Sequence, residues 1–162
     1  MAAKNDFSPD EWKLLLESVM MSGIAVTAAD PSGLWGTLKE SFASAQTMAS
    51  GKAGSSDLVK ALVAEFETSE GRTIARDGVR DQLKGSNPAE MTAKSIDTLR
   101  RASALLDAKA PGEAADVKAW LRQISVNVAE ASKEGGFLGF GGVKVSEAET
   151  ATLGEIDAAL KL

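Results

Sequence analysis

Two groups of glutamates are the only places where residue type and spacing could support acid–base or cation chemistry. Glu65, Glu67 and Glu70 fall close together, and Glu130 and Glu134 stand one helical turn apart. Paired carboxylates can exchange a proton or hold magnesium. Acids at helical spacing are far more often a solvated face, and both groups are expected to be that. Other chemistries fall by composition. The chain has neither histidine nor cysteine, so Ser-His-Asp, Cys-His, zinc and haem-type sites have no residues to build them. The Glu-x-x-His element of di-iron bundles is missing too. No serine stands three residues before a lysine, which removes the Ser-x-x-Lys arrangement. No catalytic residue, no metal ligand and no cofactor is expected.

Recognition has more to work with. Arg72, Arg76, Arg80 and Lys84 recur every four residues, a spacing that lays them along one side of a helix as a stripe for an anion or an acidic partner. Asp77 and Asp81 dilute it, and a salt-laced outer face is the plainer expectation. The second candidate is the run Gly135-Gly136-Phe137-Leu138-Gly139-Phe140-Gly141-Gly142. A phosphate cradle would need a preceding strand and, for a P-loop, a closing Gly-Lys-Ser/Thr; a helical pattern precedes this run instead. Ordering so many glycines costs entropy that Phe137, Leu138 and Phe140 can offset by burial. They are expected to fold back as a plug, with an exposed patch for a partner or lipid as the alternative. Trp12, Trp35 and Trp120 lie on apolar faces and are expected in the core with their indole N–H groups bonded.

The elements that must position these residues are helices. Ser8-Pro9-Asp10-Glu11 has the makings of a capping box, and Trp12, Leu15, Leu16, Val19, Gly23 and Val26 follow at helical spacing to about Ala29. Asp30-Pro31 opens a second helix through Leu34, Trp35, Leu38, Phe42, Ala45 and Met48 or Ala49, pairing with the first as a hairpin. After the small polar loop Ser50–Ser56, Leu58, Val59, Leu62, Val63 and Phe66 form a broad apolar stripe, expected to be among the most buried. Glu67–Gly71 interrupts it before a weaker, peripheral helix through Ile74, Gly78, Val79 and Leu83. Gly85 can stop that helix, and Asn87-Pro88-Ala89-Glu90 starts another, which runs to Ala110-Pro111-Gly112. A further helix starts after Pro111 and carries its apolar face from Val117 to Ala131, ending at Ser132, and Ser146-Glu147-Ala148-Glu149 caps the last. Nothing longer than Gly142–Ser146 alternates as a strand would. The expectation is one all-α domain, 1–162, a compact bundle of about seven helices with the Gly/Phe loop before the last.

Composition agrees. A chain of 162 residues with 44% hydrophobic and 25% charged residues is ordinary globular material, able to bury a core without staples. A net charge of −5, from 18 basic and 23 acidic residues, offers no general attraction to nucleic acid. No secretion signal stands at the front, and the uncharged run Ser18–Ala29 is shorter than the ~20 residues of a spanning helix, so a cytoplasmic protein without a transmembrane segment is expected.

Three stretches carry a likeness to known proteins. AEASKEGGFLGFGGVKVSEAE, AADPSGLWGTLKESFA and APGEAADVKAWL together resemble an uncharacterised family of small bacterial proteins, which implies an all-helical cytoplasmic fold without an assigned activity. More distantly, a turn with Gly142-Val143-Lys144 followed by Ser-Glu-Ala-Glu and an amphipathic helix is similar to the helical domain of tellurite-resistance TerB-type proteins. The acidic Asp-Gly turn implicated there in metal binding has no counterpart here, so no metal site is implied. The leading functional expectation is a non-enzymatic protein-interaction or scaffold module, self-association included. A bundle that binds a small apolar ligand or lipid, with the Gly/Phe loop as its gate, is the second. A TerB-like stress-response protein without the acidic turn is a third. The candidate contact residues are Phe137, Leu138, Gly139, Phe140, Arg72, Arg76 and Arg80.

Overall fold

The computed structural model describes residues 2–29, 56–134 and 147–162, with side chains from 131 to 134 left aside. Within these, the chain is all-α: a 3-10 turn at Lys4–Asp6 and six helices, α1 (Pro9–Ala29), α2 (Asp57–Glu67), α3 (Ser69–Leu83), α4 (Pro88–Lys109), α5 (Ala114–Glu134) and α6 (Glu147–Leu160). No strand occurs among the described residues. The helix expected over Leu34–Met48, and with it the helical hairpin, lies outside them.

Local chemistry explains most of the boundaries. Ser8 Oγ accepts from the Glu11 N–H at 3.2 Å while Glu11 Oε2 accepts from the Ser8 N–H at 2.7 Å, closing the capping box. Asn87 and Glu90 repeat it reciprocally at 2.9 and 3.0 Å, with Pro88 in the first turn of α4. Gly85, at φ 74°, takes the left-handed turn after α3 that a side chain would resist.

One boundary departs from the sequence reading. The interruption expected over Glu67–Gly71 shrinks to Thr68 alone, which ends α2 and starts α3. Its hydroxyl donates to the Glu65 carbonyl at 2.7 Å and accepts from the Gly71 N–H at 2.9 Å. Gly71 permits this sharp corner, because a Cβ there would sit 2.2 Å from the Glu65 carbonyl oxygen.

The core is organised around α1, which packs against α4 most extensively and also against α5, α3 and α6. Leu15, Leu16, Val19, Met21, Ala25 and Val26 are buried on it, and so are Glu17, Ser18 and Ser22. Burial on every side, rather than along one stripe, makes α1 the most enclosed of the described helices, while α2 buries Leu58, Val59, Leu62 and Val63 along its single stripe. Buried hydroxyls remain bonded: Ser18 and Ser22 donate back along the helix, and Ser125 of α5 donates to the Ser22 carbonyl at 2.7 Å. Among the described residues α1 is also the one helix long and apolar enough to cross a membrane, and 72% of its most apolar 18-residue window is buried inside the bundle. α1 is longer than the uncharged run Ser18–Ala29, since the helix extends past Glu17 and Lys13 to Pro9.

Trp12 and Trp120 are core residues, as expected, and neither indole Nε1 has a hydrogen-bond partner among the described residues; Trp35 lies outside them. Trp12 packs on Phe7, with ring centroids 5.9 Å apart, and the Lys4 ammonium lies 5.9 Å above its ring.

Candidate functional site

α3 carries the arginine stripe, and its two faces differ in kind. Inward it turns Gly71, Ala75, Gly78 and Val79, small residues that let the helix backbone approach α1 and α2 closely. Outward it turns Arg72, Arg76, Arg80 and Lys84, all exposed.

The arginines do not act alike. Arg72 folds back over the Thr68 corner, where Nη1 donates to the Phe66 and Glu67 carbonyls at 2.9 Å each and Nη2 reaches Ser69 Oγ at 3.4 Å. It closes the C-terminus of α2, whose last carbonyls have no partner within the helix. Arg76 and Arg80 instead share one counter-charge: Arg80 Nη2 lies 2.9 Å and Arg76 Nε 3.8 Å from Asp77 Oδ1. Their side chains stay 65% and 67% exposed. Each guanidinium presents a planar fork suited to bidentate capture of a carboxylate, and one shared aspartate leaves most of those donors to water.

Beneath this ridge lies an acid that the sequence reading did not single out. Glu17 of α1 is only 5% exposed. Its Oε2 accepts from Gln82 Nε2 of α3 at 2.6 Å, and the Gln82 side-chain oxygen Oε1 accepts at 3.1 Å from the Thr98 hydroxyl of α4, whose one proton it shares with the Lys94 carbonyl at 3.0 Å. Lys13 Nζ stands 3.7 Å from Oε1. A Cβ on Gly78 would lie 1.9 Å from the same oxygen, so the carboxylate occupies the space that a side chain at position 78 would take. Burial pushes this carboxyl above its usual range, and the attraction of Lys13 and Arg101 and the Gln82 hydrogen bond offset only part of that push.

Glu113, in the turn before α5, has the opposite balance. Its Oε1 accepts from the Leu58 N–H at 2.9 Å and from Ser56 Oγ at 3.1 Å, and its Oε2 accepts from the Ala2 N–H at 2.6 Å. Burial alone would raise it, but the N–H donors of Leu58 and Ala2 and the Ser56 hydroxyl hold it below the usual carboxylate range. One side chain thereby ties the amino-terminal segment and the start of α2 to the α4–α5 turn.

A third acid, Asp107 of α4, accepts from the buried Lys118 of α5 and from Lys161 near the carboxyl end at 3.2 Å. These two hydrogen bonds hold its carboxyl below the usual range. Arg122 to Asp157, at 2.6 Å, ties α5 to α6.

Of the acids with possible chemistry, Glu65 is held by Lys4 at 2.8 Å, while Glu67, Glu70 and Glu130 are exposed. Among the described residues no group of three acids could hold a metal ion. Phe137, Leu138, Gly139 and Phe140, and most of the stretch that carries the bacterial likeness, lie outside the described residues. The structure thus defines a class, an all-α bundle stitched by carboxylates between helices. No family model matches the chain, and no curated protein or solved structure gives a significant match.

Proposed function

We propose that this protein is a non-enzymatic interaction module and that it engages an acidic surface of a protein partner, a second copy included, through Arg76 and Arg80. One observation carries the reading: two exposed guanidinium groups, one turn apart on a helix seated against α1 and α2, share a single aspartate. Arginine forks on a fixed helical pitch are suited to paired carboxylates. Self-association and a cytoplasmic setting belong to the same proposal. So does kinship with the small helical bacterial proteins, which rests on residues 28–43, 110–121 and 129–149 alone.

The test compares the wild type with the Arg76→Glu/Arg80→Glu double variant. Both should fold alike by circular dichroism. The wild type should retain a partner from native lysate, or a second copy by light scattering, at low salt, and the double variant should lose it. Equal capture by both proteins, or a wild type that is strictly monomeric and captures nothing, refutes the reading.

A further inference from the structure

Glu17 is the one charged residue between Lys13 and Asp30, and it meets α3 at Gly78 and Gln82. The fully buried residues of α3 are two glycines, an alanine and a valine, with Ile74 partly buried against the core beside them. At its carboxyl-terminal half the polar link from Glu17 through Gln82 to Thr98 joins α1, α3 and α4 in series.

The charges around the carboxylate come from each helix that meets it. From α1, Lys13 approaches to 3.7 Å. From α4, Arg101 attracts it at longer range, and Lys94 is engaged with the Gln82 main-chain oxygen at 3.1 Å and with Ser86 Oγ at 2.7 Å. α3 supplies the Gln82 carboxamide and the Gly78 backbone. Among the described residues, ionised Glu17 therefore sits against the Gly78 backbone with one carboxamide donor and a single ion pair, to Lys13 at 3.7 Å.

We infer that Glu17 is a proton-operated latch for α3: the protonated carboxyl seats the helix firmly on α1 and α4, and the ionised carboxylate loosens that helix while the rest of the bundle stays closed. The sign follows from burial. A carboxyl that binds its proton more tightly in the folded than in the unfolded chain contributes stability that is full below the unfolded value of 4.5 and is lost as pH rises through the folded one. The device is local because α3 leans on this seam, whereas α5 is held by its own buried residues Val117, Leu121 and Ile124. It operates whatever the arginines on the outer face of α3 bind.

Amide hydrogen exchange on the full chain between pH 5 and 8, corrected for intrinsic rates, tests the latch. In the wild type, protection of the Ala75–Val79 amides should fall as pH rises, by at most about tenfold per pH unit, the slope of a single proton, while Val117–Ile124 holds constant. In Glu17→Gln the α3 protection should be high and flat. An unchanged pH course in Glu17→Gln, or flat α3 protection in the wild type, overturns the proposal. A titration of the Glu17 carboxyl carbon by NMR, which needs no variant, should give a midpoint above 4.5, and a midpoint at or below that value overturns it equally.

Discussion

Glu113 and Glu17 are both carboxylates that join helices distant in sequence, yet the protein treats their charges in opposite ways. Glu113 faces two backbone N–H groups and a hydroxyl, all aimed at oxygen, and the anion is the form those donors prefer. Glu17 faces one carboxamide donor and a bare glycine, with its nearest ammonium at 3.7 Å. The number and placement of donors, more than depth alone, decide whether a carboxylate between helices fastens them or strains them.

Substitutions can break this contrast. The largest effect is expected at Glu113→Ala, which orphans the Leu58 and Ala2 N–H groups and should cost about 2 kcal/mol in urea unfolding at pH 7. Glu113→Gln should recover little, since a carboxamide has one acceptor oxygen where two are used. Glu17→Gln should do the reverse and stabilise by about 1 kcal/mol, because it removes a buried charge and keeps an acceptor for Gln82. A loss of similar size at both positions would erase the distinction.

The pH dependence sharpens it. The folded value of Glu113 lies below 4.5, so its contribution is present above 4.5 and should vanish as pH falls through that folded value. The advantage of Glu17→Gln should instead shrink as pH falls from neutral towards 4.5, because the native carboxyl gains its proton. Unfolding curves of the three proteins from pH 3 to 8 should therefore show two windows, one on each side of 4.5. The smallest effect is expected on the outer face of α3, where Arg76→Ala and Arg80→Ala should change stability by less than about 0.5 kcal/mol, as exposed ion pairs usually do.

Much of the scaffold was legible because its signals are local. The Ser8–Glu11 and Asn87–Glu90 boxes and the Gly85 stop each need only a few neighbouring residues, and each formed as read. The Thr68 corner was blurred because threonine gives no sign that it will cap in both directions. Glu113 was invisible as a fastener, since its partners lie 55, 57 and 111 residues away. Glu17 did leave a trace, a lone acid within an otherwise uncharged run. Reading α1 as a helix with one buried face hid it, whereas a helix enclosed on every side makes any charge in its middle conspicuous.

The Thr68 corner also sets a phase. With a single residue between α2 and α3, the rotation of one helix about its axis is geared to that of the other, and there is no slack in which an inserted residue could be absorbed. One extra residue there would turn α3 by about 100°, carrying the Gly71–Gly78 face away from α1 and bringing charged side chains round towards it. The length of that joint, as much as any side chain along α3, keeps the arginines outside and the glycines in.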